Sequence, residues 1–198
     1  IYSFFKSKKQ EQFRPVLLSL LHQKELGNLS EKLYENTLKY LYNFFVCYTI
    51  IGKEKSNNLR DTIIKYANIL ENNYSDEKLL EFGENLKQKI PSYEWFERSF
   101  CNLGWSNHIE IFKNSKDKER VKITLEIIEK FVSQRFDIGD FTIEHIKPDS
   151  DGEESAHIGN LIPLEEHLNK RCENKPLNEK YEIYKESNSL WKKRSSRT

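Results

Sequence analysis

The spacing of apolar residues changes once along this chain, and that change constrains the fold more than any other feature. Up to Val132 they recur at three- and four-residue steps, the period of an amphipathic helix; from Phe141 to Ile146 they alternate, the period of a strand. In residues 11–26, Phe13, Val16, Leu17, Leu20 and Leu21 share one helical face, with Pro15 tolerable in the first turn and Gly27-Asn28 as a stop. Ser30 can cap a second, longer helix through Leu33, Leu38, Leu41, Phe44, Phe45 and Tyr48 to about Ile50, before Gly52 and the polar run 53–58 break it. A third runs from about Leu59 to Glu71 through Ile63, Ile64, Ala67 and Leu70. A fourth starts at Ser75 or Asp76, carries Leu79, Leu80, Phe82 and Leu86, and ends before Pro91. A short aromatic helix over about Tyr93–Leu103 and another from near Ser115, with Val121, Leu125, Ile128 and Val132, complete a helical bundle.

The pattern breaks at Asp137-Ile138-Gly139-Asp140. A short strand follows, stopped by Pro148, then a polar loop over 149–155, a second strand over His157–Leu164, and a helix over Glu165–Glu173. The first strand carries Glu144 beside His145; Asn160 follows fifteen residues after the histidine and Asn169 nine residues later. A carboxylate, a histidine that titrates near neutrality and two amides supply oxygen ligands for a hard cation, a base and a positioning group. Such a set fits hydrolysis of a phosphodiester beside one divalent ion. A lone strand histidine is more often structural, so the signal lies in the combination. His167 competes with Asn169 as a ligand, but two residues apart on a helix they point differently, and the nine-residue spacing and the following Lys170-Arg171 favour Asn169. His157 is expected in the loop, and His22 and His108 have no partner in the motif.

A net charge of +1 over 198 residues excludes a chain that is basic all round. Positive charge is nevertheless concentrated late: residues 167–198 hold nine Lys or Arg against four Glu, where a phosphodiester would sit, although a solvated basic tail is the simpler reading of such a run. Cys47, Cys101 and Cys172 are too dispersed for a disulfide framework or a zinc knuckle, and are expected to be reduced and mostly packing residues. The apolar runs are all shorter than a membrane span and no basic-then-apolar leader opens the chain, so a cytoplasmic protein without membrane attachment is expected. The aromatics Tyr42, Phe44, Phe45, Trp95, Phe96, Phe100 and Trp105 recur at helical periods and are expected to pack rather than to stack bases. A chain that starts at Ile1 and contains no methionine reads as the C-terminal piece of a longer protein.

The segments Ile143-Glu144-His145-Ile146-Lys147-Pro148, Ile158-Gly159-Asn160-Leu161-Ile162-Pro163-Leu164, Asn169, and Asn174–Lys180 with Tyr184 and Ser187 resemble the HNH nuclease half of the GmrSD-type restriction endonucleases, within the ββα-metal superfamily. Upstream, Asn43-Phe44-Phe45 and Lys65-Tyr66-Ala67 are similar to that family's linker region. The resemblance implies a mainly α fold, with a helical domain over 1–138 followed by a ββα-metal nuclease domain over 139–198. It implies His145 as general base, Glu144 and Asn169 as ligands of Mg²⁺ or Mn²⁺, and Asn160 as the residue that pins the loop and orients His145. Lys180 and Lys170 or Arg171 would neutralise the scissile phosphate of DNA. The implied activity is DNA endonuclease action in prokaryotic restriction or antiviral defence, alongside a nucleotide-hydrolysing N-terminal domain or subunit missing from this sequence. The alternative is a catalytically degenerate module of the same fold that binds DNA or a partner protein.

Overall fold

A computed structural model describes residues 11–90, 92–134 and 137–188. Pro91 and the basic residues Lys192, Lys193, Arg194 and Arg197 lie outside the described residues. Two compact units divide between Phe96 and Glu97. The second therefore contains, besides the strand region from 139 onward, a long helix that the sequence pattern assigns to the preceding bundle. Among the described residues no helix is long and apolar enough to cross a membrane.

The first unit is built from α1 (Arg14–Glu25), α2 (Glu31–Phe45), α3 (Arg60–Asn72) and α4 (Asp76–Lys87). Helix α1 packs along α3, and Phe13, Val16, Leu20, Leu41, Phe45, Leu59, Ile63 and Leu70 are buried between the helices. Polar side chains fasten the α1–α3 contact: Ser19 Oγ donates to the Ala67 carbonyl at 3.0 Å and Gln23 Nε2 to the Glu71 carbonyl at 3.0 Å. The hydroxyls of Ser30 and Ser75 accept the N–H groups of Leu33 and Lys78, which fixes the starts of α2 and α4. The start left open between Ser75 and Asp76 thus falls to a Ser75 cap. Leu80, expected on the apolar face, is 69% exposed, because one residue beyond buried Leu79 the helix has turned by about 100°. Helix α2 ends earlier than the pattern suggests, and Val46–Ile51 widen into a π-helical turn, closed by Gly52 N–H on the Cys47 carbonyl at 2.9 Å. Gly52 is required there, since a Cβ would stand 2.1 Å from the Trp95 ring.

Helix α5 (Tyr93–Cys101) spans the division between the units. The second unit continues with α6 (Ser115–Ser133), β1 (Thr142–His145), β2 (Leu161–Leu164), α7 (Glu166–Cys172) and α8 (Leu177–Tyr184). β1 and β2 form an antiparallel pair with Glu144 opposite Ile162 and His145 opposite Leu161. The molecule is thus mainly helical with a small two-stranded sheet near its C-terminal end. α6 packs on β2, while α7 packs on β1 and α8 on α7, around Ile162, Leu164, Leu168, Cys172, Ile183 and Tyr184. Burial pushes the Cys172 thiol up to about 11, so it stays protonated and packs as an apolar residue. Glu165 ties the end of the described chain to this core, accepting from Ser187 Oγ at 2.7 Å and Asn188 N–H at 2.8 Å. Burial, the largest single influence, raises its pKa, but those two donors together with its own backbone N–H and the nearby His167 hold the carboxyl below its ordinary value.

The second strand is shorter than expected. Residues 153–156 and 158–160 form 3₁₀ turns, and only Leu161–Leu164 pair with β1. The residues ahead of β2 instead meet the segment after α5: Trp105 N–H donates to the Ala156 carbonyl at 2.9 Å and Ile158 N–H to the Leu103 carbonyl at 2.8 Å. Gly104 and His157 form an isolated antiparallel bridge between these segments. Gly104 allows the approach, since a Cβ there would stand 2.5 Å from the Ala156 carbonyl oxygen and 3.0 Å from the Phe112 ring. Gly104→Ala should lower the unfolding free energy by about 1–3 kcal/mol through this overpacking, with urea denaturation as the check.

Candidate functional site

Successive strand residues point to opposite faces of a sheet, so Glu144 and His145 diverge although they are adjacent. Glu144 points toward α8. Its Oε1 accepts from Lys180 Nζ at 2.8 Å and from the Tyr184 hydroxyl at 3.0 Å, and Lys180 Nζ also donates to the His145 carbonyl at 2.5 Å. Lys180 is 1% exposed and Glu144 4%. Burial, and next the Glu144 carboxylate, push the Tyr184 phenol well above its ordinary value, so it remains the donor of that bond.

The His145 ring faces the segment after α5. Its Nε2 lies 3.0 Å from the Trp105 carbonyl oxygen, and the ring tilts by 38° against the indole at a centroid distance of 5.7 Å. Only an Nε2–H can satisfy a carbonyl, so this contact selects the tautomer that leaves Nδ1 with a lone pair. Among the described residues no protein hydrogen bond falls on Nδ1. Asp149, just beyond Pro148, places Oδ1 at 3.4 Å from Nε2, while its Oδ2 accepts Asn107 N–H at 2.8 Å.

Asn160 braces the turn after β1. Its Oδ1 accepts Lys147 N–H at 2.8 Å, and its Nδ2 donates to the carbonyls of Lys147 at 3.0 Å and Ser155 at 2.7 Å. Asn169, on α7, donates through Nδ2 to Thr142 Oγ1 at 2.8 Å and to the Ile143 carbonyl at 3.0 Å. His167, the competing ligand of the sequence pattern, lies on the exposed side of the same helix. Lys170 pairs with Glu166 at 2.6 Å, and Arg171 makes a two-pronged pair with Glu186 at 2.5 and 2.7 Å, both on the surface.

Three features of the structure bear on the expected constellation. His145 stands on the opposite face of β1 from Glu144, so these two side chains do not converge on one point with Asn169. Lys180, expected beside a phosphate, is an interior cation held by Glu144 and the His145 carbonyl, and cannot touch a ligand without leaving both. Glu144, expected to bind Mg²⁺ or Mn²⁺, has its charge balanced by that ammonium, with both the Lys180 and the Tyr184 bonds falling on Oε1. A divalent ion bound at Oε1 would have to displace Lys180. Among the described residues no group of three His, Cys, Asp or Glu side chains is placed to hold a metal. Two residues absent from the sequence-based set belong to the site: Trp105, which acts through a backbone carbonyl and leaves no signature in sequence, and Asp149, which resembles any other member of the polar loop.

Lys180→Met should lower stability by about 3–5 kcal/mol, because it leaves Glu144 buried without a counter-charge; adding Glu144→Met should recover most of the loss. Urea denaturation of the two variants checks both values.

Residues 76–196 match the family described as GmrSD restriction endonucleases, C-terminal domain. No curated protein and no solved structure gives a significant match. The matched region takes in the strand pair, the helices that follow it, His145 and its partners, so the chain belongs to the family of GmrSD restriction endonuclease C-terminal domains.

Proposed function

We propose that this chain is a nuclease module of the HNH type that hydrolyses phosphodiester bonds of DNA in restriction or antiviral defence, with His145 as the general base. The observation that carries the reading is the tethered histidine. Nε2–H is fixed on the Trp105 carbonyl at 3.0 Å at the end of a strand, and the lone pair of Nδ1 is left for a proton. In the reaction a water oxygen bonds to phosphorus and its proton passes to Nδ1. The bond from phosphorus to one sugar oxygen breaks, and that oxygen takes a proton from solvent. The products are a phosphate monoester and an alcohol, and the ring later returns its proton to solvent. Asn160 supports the base by holding Lys147, two residues along the chain, through both backbone groups.

Lys170 and Arg171 are the surface cations nearest in sequence to Asn169, and we assign them to the DNA backbone. Their present carboxylate partners do not preclude this, since exposed ion pairs contribute little and exchange readily for phosphate. The family resemblance also implies dependence on Mg²⁺ or Mn²⁺, and this is the element that the Glu144–Lys180 pair opposes. Cleavage stopped by EDTA and restored by either ion would require the ion to bind beside that pair, at the other carboxylate oxygen, or to displace Lys180 from Oε1. The same pair favours one competing reading, a module of this fold that binds DNA or a partner protein without cutting, because the carboxylate that would serve a metal is already engaged.

A plasmid-cleavage assay with Mg²⁺, Mn²⁺ and EDTA, on modified and unmodified DNA, separates the two. His145→Ala should abolish cleavage with an unchanged circular-dichroism spectrum. Retained cleavage by that variant would remove the assignment of the base, and binding of DNA by a wild-type chain that never cuts it would favour the binding module.

A further inference from the structure

Asp149 is unusually placed for a residue in a polar loop. Its side chain is 13% exposed, and Oδ1 is shut off from solvent with no hydrogen-bond partner among the described residues. A buried carboxylate oxygen left in that condition costs free energy unless something offsets it. The nearest charge-bearing neighbour given by the structure is His145 Nε2 at 3.4 Å, in a ring that is itself nearly enclosed. The carboxylate cannot simply swing away. Oδ2 is fixed by Asn107 N–H at 2.8 Å, and the Asp149 carbonyl accepts Ser155 Oγ at 3.2 Å.

We infer that Asp149 is a positioning residue for His145, holding a fixed negative charge beside the ring that becomes fully favourable only when the ring gains positive charge. This rests on the reading of His145 as the general base. While His145 is neutral, its Nε2–H is directed to the Trp105 carbonyl, and Asp149 Oδ1 gains little. When Nδ1 accepts the proton of the attacking water, the ring becomes an imidazolium and the carboxylate 3.4 Å away acquires a counter-charge. An interaction stronger in the charged state than in the neutral one lowers the barrier instead of tightening substrate binding. The arrangement has the logic of an acid placed beside a catalytic histidine, with the N–H itself taken by the backbone carbonyl of Trp105.

Asp149→Asn in the full chain isolates the charge, because the amide oxygen can keep the bond from Asn107 N–H. The expected result is an unchanged melting temperature, a kcat for plasmid cleavage lowered by about 100-fold, and an unchanged KM. The His145 ring N–H proton, observed directly by NMR and assigned by its loss in His145→Ala, should also move on the substitution. A resonance that stays in place overturns the inference whatever happens to activity, and so does a moved resonance with wild-type kcat. Asp149→Ala, which removes both the charge and the Asn107 bond, provides the second arm: a loss of kcat in this variant but not in Asp149→Asn assigns Asp149 to anchoring the loop and overturns the role. If the wild-type chain cuts no nucleic acid, the nuclease reading fails by itself, and the resonance still decides whether Asp149 acts on His145.

Discussion

One buried ion pair organises the second unit. Lys180 and Glu144 would each be costly to enclose alone; together, with the Tyr184 hydroxyl on the same carboxylate oxygen and the His145 carbonyl on the same ammonium, their charges are balanced inside the core. The pair fixes α8 against β1. Because the ammonium also grips the backbone of His145, it sets the strand end from which the imidazole projects to the other side. Core and candidate site are thus joined through a single residue's main chain.

The two faces of β1 do different work. On one, Thr142 and Glu144 are engaged by Asn169 and Lys180, so the helices are fastened to the strand by polar side chains as well as by the apolar cluster around Leu168 and Ile183. On the other, His145 meets Trp105 and Asp149, both supplied by irregular segments. Rigid elements hold the backbone of His145 while loop residues select its tautomer. The same division of labour explains why Asn160, which touches no ring atom, belongs to the site: it holds the turn that carries Asp149 away from the strand.

Features decided locally were legible in the sequence. Helix starts at Ser30 and Ser75 follow from caps a few residues away, and the switch from helical to alternating spacing near residue 140 marks where β1 begins. His145 could be singled out because its chemistry and its spacing to Asn160 and Asn169 are written in side chains. What stayed hidden depends on long-range packing. Lys180 reads as a solvated cation because most lysines are, and nothing near it in the chain announces Glu144, 36 residues earlier. The π-helical turn at Val46–Ile51 ends at Gly52, against which lies the ring of Trp95, a residue far along the chain. The early end of pairing at Leu161 reflects the competing association of 156–158 with 103–105, which no periodicity encodes.

That association bears on how the protein can be dissected. The imidazole's backbone acceptor and the N–H that anchors Asp149 both come from residues 105–107, ahead of α6 and more than thirty positions before β1. A fragment begun at 139, where the alternating pattern starts, would retain Glu144, His145, Asn160 and Asn169 and yet lose the grip on its histidine. The smallest piece that keeps the site whole reaches back to the end of α5.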